Sequence, residues 1–262
     1  MKKPKWVIEK EQARRAAGRE TLWLFGLHAV RDALANPART ALRLIATQNA
    51  LNRLGPLPPN LDITLSDARK FAAPLDPGSV HQGAALEVRP LDWGSLADMC
   101  APRDDSACVV VLDRVSDPHN VGAVLRSSEV FGAQAVLAPA RHAAPETGAL
   151  AKAASGALER QPYLRVANLA RAMTDLNSLG YTTIGLAGEA ETDLATTLQA
   201  PLGPIALVLG AEGPGLREKT RETCDRLVRI GAAGAFGSLN VSNAAAVALY
   251  AVHQRVTPRV TH

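Results

Sequence analysis

Hydrophobic and polar positions follow two different rhythms along this chain. In the first third the pattern is short and broken. Leu22 to Leu34 gives a brief apolar run and then a helical spacing that stops at Asn36-Pro37, where the residue before a proline leaves the helical region. Leu42–Ala46 reads as a strand, residues 55–60 (GPLPPN) as a loop, and Gly83–Val88 as a second strand ended by Arg89-Pro90. Ser66 is placed to cap a short helix through Phe71. The spacing predicts a small α/β unit over residues 21–90, then a linker over residues 91–106, where periodicity fades.

From residue 107 the rhythm is cleaner. Cys108–Leu112 is an unbroken apolar, β-branched run, as expected of a strand buried on both faces. Asn120–Phe131 is helical, with Val121, Val124, Leu125 and Ser128 on one side and Gly132 at its end. Further strands are expected at Ala135–Leu137, Tyr181–Leu186, Ile205–Leu209 and Leu227–Ile230. Helices are expected at Ala149–Leu158, Leu169–Leu179, Leu216–Cys224 and Val241–Val252. Strands alternating with helices mean a parallel sheet covered on both faces.

Composition narrows the class. The chain has 262 residues, 47% hydrophobic and 21% charged, which excludes a disordered or collagen-like chain. Aromatics are only 4%, so Ala, Leu and Val fill the core. No run of about 18 apolar residues appears, so no membrane-spanning helix is expected. Cys100, Cys108 and Cys224 lack C-x-x-C spacing, which argues against a disulfide framework or a cysteine zinc site and for the reducing cytoplasm. Neither H-E-x-x-H nor G-x-S-x-G occurs, so no metal is expected. The net charge of +4 sits in residues 1–20, where seven basic residues face three acidic ones; the rest of the chain carries 22 of each sign. A basic arm on a neutral body fits a polyanion partner, and fits a solvated tail equally well.

Ligands of open parallel sheets bind beyond the carboxyl ends of the strands. Three loops belong there. Residues 112–133 (LDRVSDPHNVGAVLRSSEVFGA) enter a helix through Asp117-Pro118-His119-Asn120, with Asn120 a natural cap and Arg126 inside the helix. Residues 207–218 (LVLGAEGPGLRE) end a strand in three glycines around Glu212; Leu216-Arg217 stands where a phosphate loop needs Lys and Ser or Thr. Residues 229–252 run from a strand through a Gly/Ala loop to Ser238-Leu239-Asn240, where Asn240 or Ser242 can cap the last helix. Each loop alone is compatible with an ordinary capped helix or tight turn.

Together the three loops resemble, in order and wording, the signature motifs of the SpoU/TrmH family of RNA 2′-O-ribose methyltransferases, in the SPOUT superfamily. DPHNVGAVLRSSEVFG looks like the first motif, LVLGAEGPGL the second and GSLNVSNAAAVALY the third. FGLHAVRDAL (25–34) and VHQGAAL (80–86) look like that family's substrate-binding domain, so the resemblance covers residues 22–255 and leaves the arm outside. Within the family the likeness is to members that methylate a guanosine ribose of large-subunit ribosomal RNA.

The resemblance implies S-adenosylmethionine as donor, an RNA substrate, a homodimer, and a C-terminal domain (107–262) tied in a trefoil knot, preceded by a smaller N-terminal α/β RNA-binding domain. Such a knot is a rare exception to the connection rules and is not readable from periodicity. Carried over residue by residue, Arg126, Asn120, Glu212, Ser238 and Asn240 are catalytic, and Gly210, Ile230 and Leu239 hold the donor through their main chain. A permanently charged guanidinium is a poor base, so Arg126 is read as a clamp on the phosphate beside the target ribose. Asn120, Ser238 and Asn240 are read as orienting the ribose, and Glu212 as fixing a loop or a neighbouring basic group. The chain departs from the family pattern at Gly231-Ala232-Ala233, where an Ile-Pro-Met-like run is usual, and at Asn243. A transfer-RNA ribose methyltransferase and a non-catalytic RNA-binding member of the fold are the alternatives.

Overall fold

The computed structural model describes residues 21–67, 69–76, 78–231 and 239–256. They form two compact units: the chain through Asp92 together with Glu146–Glu159, and Trp93–Pro145 together with Arg160 onward.

The first unit holds a four-stranded sheet of β1 (Leu22–Phe25), β2 (Ala41–Ala46), β3 (Asp62–Leu65) and β4 (Ala84–Val88), in the order β1-β4-β2-β3. β4 runs antiparallel to both neighbours, and β3 lies parallel to β2. Its helices are α1 (Leu27–Ala35) and α2 (Gln48–Leu54). The apolar spacing of α1 buries Leu27, Val30 and Ala33, and Asn36 ends it where the following proline predicts. Thr47 caps α2 by accepting the Ala50 N–H. Among the described residues no helix starts at Ser66: its hydroxyl accepts the Ala72 N–H and donates to the Lys70 carbonyl, closing a turn instead.

Residues 146–159 lie far along the sequence yet complete this unit. Thr147 caps the short helix Gly148–Ala154, and a 3-10 turn follows at Ala157–Glu159. Buried Arg39 binds Glu159 through Nε (3.0 Å) and Nη2 (2.8 Å), and Glu146 and the Arg89 carbonyl through Nη1 (2.6 and 2.8 Å). Burial opposes the Arg39 charge, but hydrogen bonds to Glu159 and the two carboxylate charges outweigh it, and its pKa is raised. Burial pushes the Glu146 carboxyl up, with Arg39 opposing. The paired geometry is what makes these charges tolerable away from water.

The second unit is built on six parallel strands: β5 (Cys108–Asp113), β6 (Val136–Pro139), β7 (Tyr163–Val166), β8 (Thr182–Leu186), β9 (Ile205–Gly210) and β10 (Arg226–Val228). Their order is β10-β8-β9-β5-β6-β7. Every residue of β5 is buried, which explains its unbroken apolar run. Its helices, numbered on from the short helix above (α4), with α3 (Leu96–Met99) preceding it, are α5 (Pro118–Val130), α6 (Leu169–Ser178), α7 (Leu194–Thr197), α8 (Glu218–Thr223) and α9 (Val241–Val256). α6 closes one face with Leu169, Met173 and Leu176 over Val109, Val111, Leu137 and Val208. α5 and α9 pack against each other. The stretch expected as a linker is not bare: it contains α3, and Cys100 is fully buried in this core.

Candidate active site

Strand order reverses between β5 and β9, which are hydrogen-bonded neighbours in register from Cys108↔Ile205 to Asp113↔Gly210. The loops leaving their carboxyl ends therefore diverge, and a crevice opens there. A cavity of about 720 Å³ lies on the β9 side of it, beyond the carboxyl ends of β8 and β9, within the range of small-molecule sites. Its walls come from the ends of β8 and β9, from Arg229-Ile230, and from Leu239 to Ala244. Gly188, Gly210, Gly213 and Gly215 are among its residues.

A Cβ on Gly210 would sit 2.1 Å from the Gly215 carbonyl carbon and 2.3 Å from the Leu216 nitrogen. Only glycine lets the loop fold back on the strand, where Gly215 donates its N–H to the Ala211 carbonyl. The loop is pinned from the other side by Asp113, which is fully buried at the end of β5. Its carboxylate accepts the Arg217 N–H (3.0 Å) and Arg217 Nε (2.7 Å).

Beside the cavity three side chains from three loops meet. Asn120 Nδ2 donates to Glu212 Oε1 (3.1 Å), and Asn240 Nδ2 donates to Asn120 Oδ1 (3.0 Å) and to Glu212 Oε1. Asn240 also caps α9, its Oδ1 accepting the Ser242 N–H and hydroxyl. Glu212 thus ties two amides together rather than holding a basic group. Asn120 does not cap α5: Asp117 does, accepting the His119 N–H, because Pro118 occupies the first helical turn.

Gly210, Ile230 and Leu239 all line the cavity, with Glu212 and Asn240 at its edge. Arg126 is not among its walls. It is exposed on α5 and makes no hydrogen bond or ion pair with the described residues. Ser238, the arm of residues 1–20 and Ala232-Ala233 lie outside the described residues.

Sequence reasoning overlooked two parts of the site. The Leu186–Glu189 stretch forms a wall, and Arg221 of α8 pairs with Glu189 at its rim. The rule that ligands sit beyond strand carboxyl ends applied to β8 as much as to β9. Asp113, a carboxylate ending an apolar strand, was the signal for the pinned loop.

A parallel sheet with a glycine-rich cavity beyond its strand ends, beside an amide–carboxylate cluster, is the framework of an α/β enzyme that binds a small molecule. Residues 107–250 match the SpoU rRNA Methylase family. A protein of Vibrio vulnificus named 23S rRNA (guanosine-2'-O-)-methyltransferase RlmB is 41% identical over 244 residues, covering 89% of this chain and 97% of that protein. The protein of the same name from Pseudomonas putida is 36% identical over 250 residues, covering 90% and 98% respectively. The solved SpoU methyltransferase AviRb from Streptomyces viridochromogenes, in complex with AdoMet, matches with a TM-score of 0.77 at 23% identity, covering 95% of this chain and 94% of that one. At that identity the likeness is one of fold. The chain belongs to the SpoU rRNA methylase family.

Proposed function

We propose that this protein transfers a methyl group from S-adenosylmethionine to the ribose 2′-hydroxyl of a guanosine in large-subunit (23S) ribosomal RNA. One observation supports the reading: Gly210, Ile230 and Leu239, the three positions matched to donor-holding residues of the family, line one cavity, and the Asn120–Glu212–Asn240 cluster stands at its edge. The relatives of similar length support the substrate by their names.

The residues present fit the donor. Gly210, where the following loop folds back too closely to admit a side chain, lines the cavity with Ile230 and Leu239, and these are the residues that would hold the donor. When bound, S-adenosylmethionine supplies an electrophilic methyl group on a sulfonium. The chain's own task is then positioning, which contributes roughly 7–11 kcal/mol in favourable cases. Asn120 and Asn240, held rigid through Glu212, orient the ribose; Ser238 joins them by its place in the motif. Arg126 grips the phosphate beside the target ribose with its planar guanidinium. That charge lowers the cost of the alkoxide as the 2′-hydroxyl proton leaves to solvent.

Arg126 acts within a homodimer. Val130 lies one helical turn beyond it on α5 and is 73% exposed; Val247 and Tyr250 of α9 are also exposed. Phe131 meets Tyr250 edge-on at 5.9 Å. An apolar patch of this kind on α5 and α9 supports a second copy against these helices, which brings each Arg126 to a site the monomer leaves without it. A trefoil knot in the second unit, RNA binding by residues 21–90 and by the basic arm, and a cytoplasmic location belong to the same reading.

The test is direct. Purified protein, protein-free 23S ribosomal RNA and isotopically labelled donor are incubated, and the product is mapped by mass spectrometry. Label in a guanosine 2′-O-methyl group is expected. Label on a base, on transfer RNA alone, or nowhere overturns the proposal.

A further inference from the structure

One motif of the first unit is not used by this chemistry. VHQGAAL leads into β4, and its first residues do more than turn the chain. Gln82 Oε1 accepts the Leu27 N–H at the start of α1 (3.1 Å). Gly83, at φ +80°, packs so tightly on Thr47 that a Cβ would lie 2.5 Å from its hydroxyl. His81 Nδ1 accepts the Gly83 N–H (3.0 Å), which fixes the orientation of the ring. Against this fixed imidazole lies Phe71, centroid to centroid 4.0 Å and only 11° from parallel.

From this stack we infer that Phe71 and His81 form a platform on which an unpaired base of the RNA substrate stacks. The inference rests on the RNA-methylating reading above and adds a recognition site to it. A ring pair serving only to staple the loop would be buried. Both rings here are half-buried, and Val80 beside them is exposed. The loop has staples of its own: the Ser66 hydroxyl bridges Lys70 and Ala72, and the Asp67 carboxylate accepts the Arg69 N–H (2.7 Å). Immediately before Phe71 stand Arg69 and Lys70, both exposed and both without a side-chain partner among the described residues. Two such cations next to an aromatic face match the phosphate and the base of one nucleotide. Bases inside an RNA helix cannot reach such a face, so the ligand is a nucleotide in a loop or bulge.

The test uses the full-length protein. Phe71→Leu keeps apolar packing and removes the aromatic face. KM for 23S ribosomal RNA is expected to rise about tenfold or more, the range of a missing base stack, with donor affinity unchanged. Phe71→Trp is expected to restore KM. Its emission should be quenched by single-stranded oligoadenylate and not by a fully paired RNA duplex, beyond what wild type shows. Replacing Arg69 and Lys70 together by Gln should reduce the salt slope of RNA binding by about 1.4 to 1.8. An unchanged KM in Phe71→Leu, or no added quenching in Phe71→Trp, overturns the platform while leaving the methyltransferase reading intact. Absence of methyl transfer by wild type sinks that reading instead, and the quenching experiment still decides the platform.

Discussion

Gly210→Ala tests the architecture of the cavity with a single methyl group. The added carbon would stand 2.1 Å from the Gly215 carbonyl carbon, against an ordinary carbon–carbon contact of about 3.5 Å, a shortfall of about 1.4 Å. All three nearest atoms are backbone, so no side chain can rotate away, and the 211–216 loop has to move. Overpacking of this kind costs about 1–3 kcal/mol, which for a chain of this size lowers Tm by roughly 2–12 °C. The displaced loop is also a wall of the cavity. Each main-chain hydrogen bond to the donor that the shift breaks, at about 0.5–1.5 kcal/mol, weakens binding by about two- to 13-fold. Calorimetric titration with S-adenosylmethionine and a thermal melt measure both effects. Gly203→Ala is the control: its nearest atom is 3.9 Å away, so the melt should barely shift. A Gly210→Ala protein with wild-type donor affinity would refute the claim that the loop's close approach builds the site.

Arg126→Ala should abolish methyl transfer while leaving donor affinity within about twofold, since the residue is not part of the cavity wall; undiminished turnover removes the clamp. Deleting residues 1–20 should weaken RNA binding and lower its salt slope by about 0.7 to 0.9 for each phosphate the arm had neutralised, and an unchanged slope makes the arm an inert tail. Burial pushes the Cys100, Cys108 and Cys224 thiols up to about 12. At pH 8 about one thiol in ten thousand is then ionised, so a thiol-specific dye should label the native protein far more slowly than the denatured one. The folded pKa being raised, this contribution to stability is whole below the unfolded value and fades as pH rises toward 12; Tm should fall across that window, and a flat alkaline profile contradicts it.

The parallel sheet was legible because β5 and β9 are buried on both faces, and burial leaves an unbroken apolar run. β7 escaped notice because its four residues include Arg165 and follow a proline. α2 escaped because QNALNRL is short and polar, although Thr47 marks its start. The three site loops were visible because each leaves a strand's carboxyl end. Their meeting was not. Asn120 and Glu212 are 92 residues apart, and spacing along a chain does not say which strands become neighbours. Likeness to a known family supplied that pairing at the motif level, and the β5–β9 register supplies it physically.

The bond between Arg39 and the carboxylates of Glu146 and Glu159 has a bearing on how the protein is made. Synthesis runs from the amino end, so the first unit emerges lacking its last segment. Its Arg39 lacks both carboxylate partners until residue 159 has left the ribosome, by which time β5 and β6 have already emerged. A fragment cut at Asp92 is frozen in that unfinished condition.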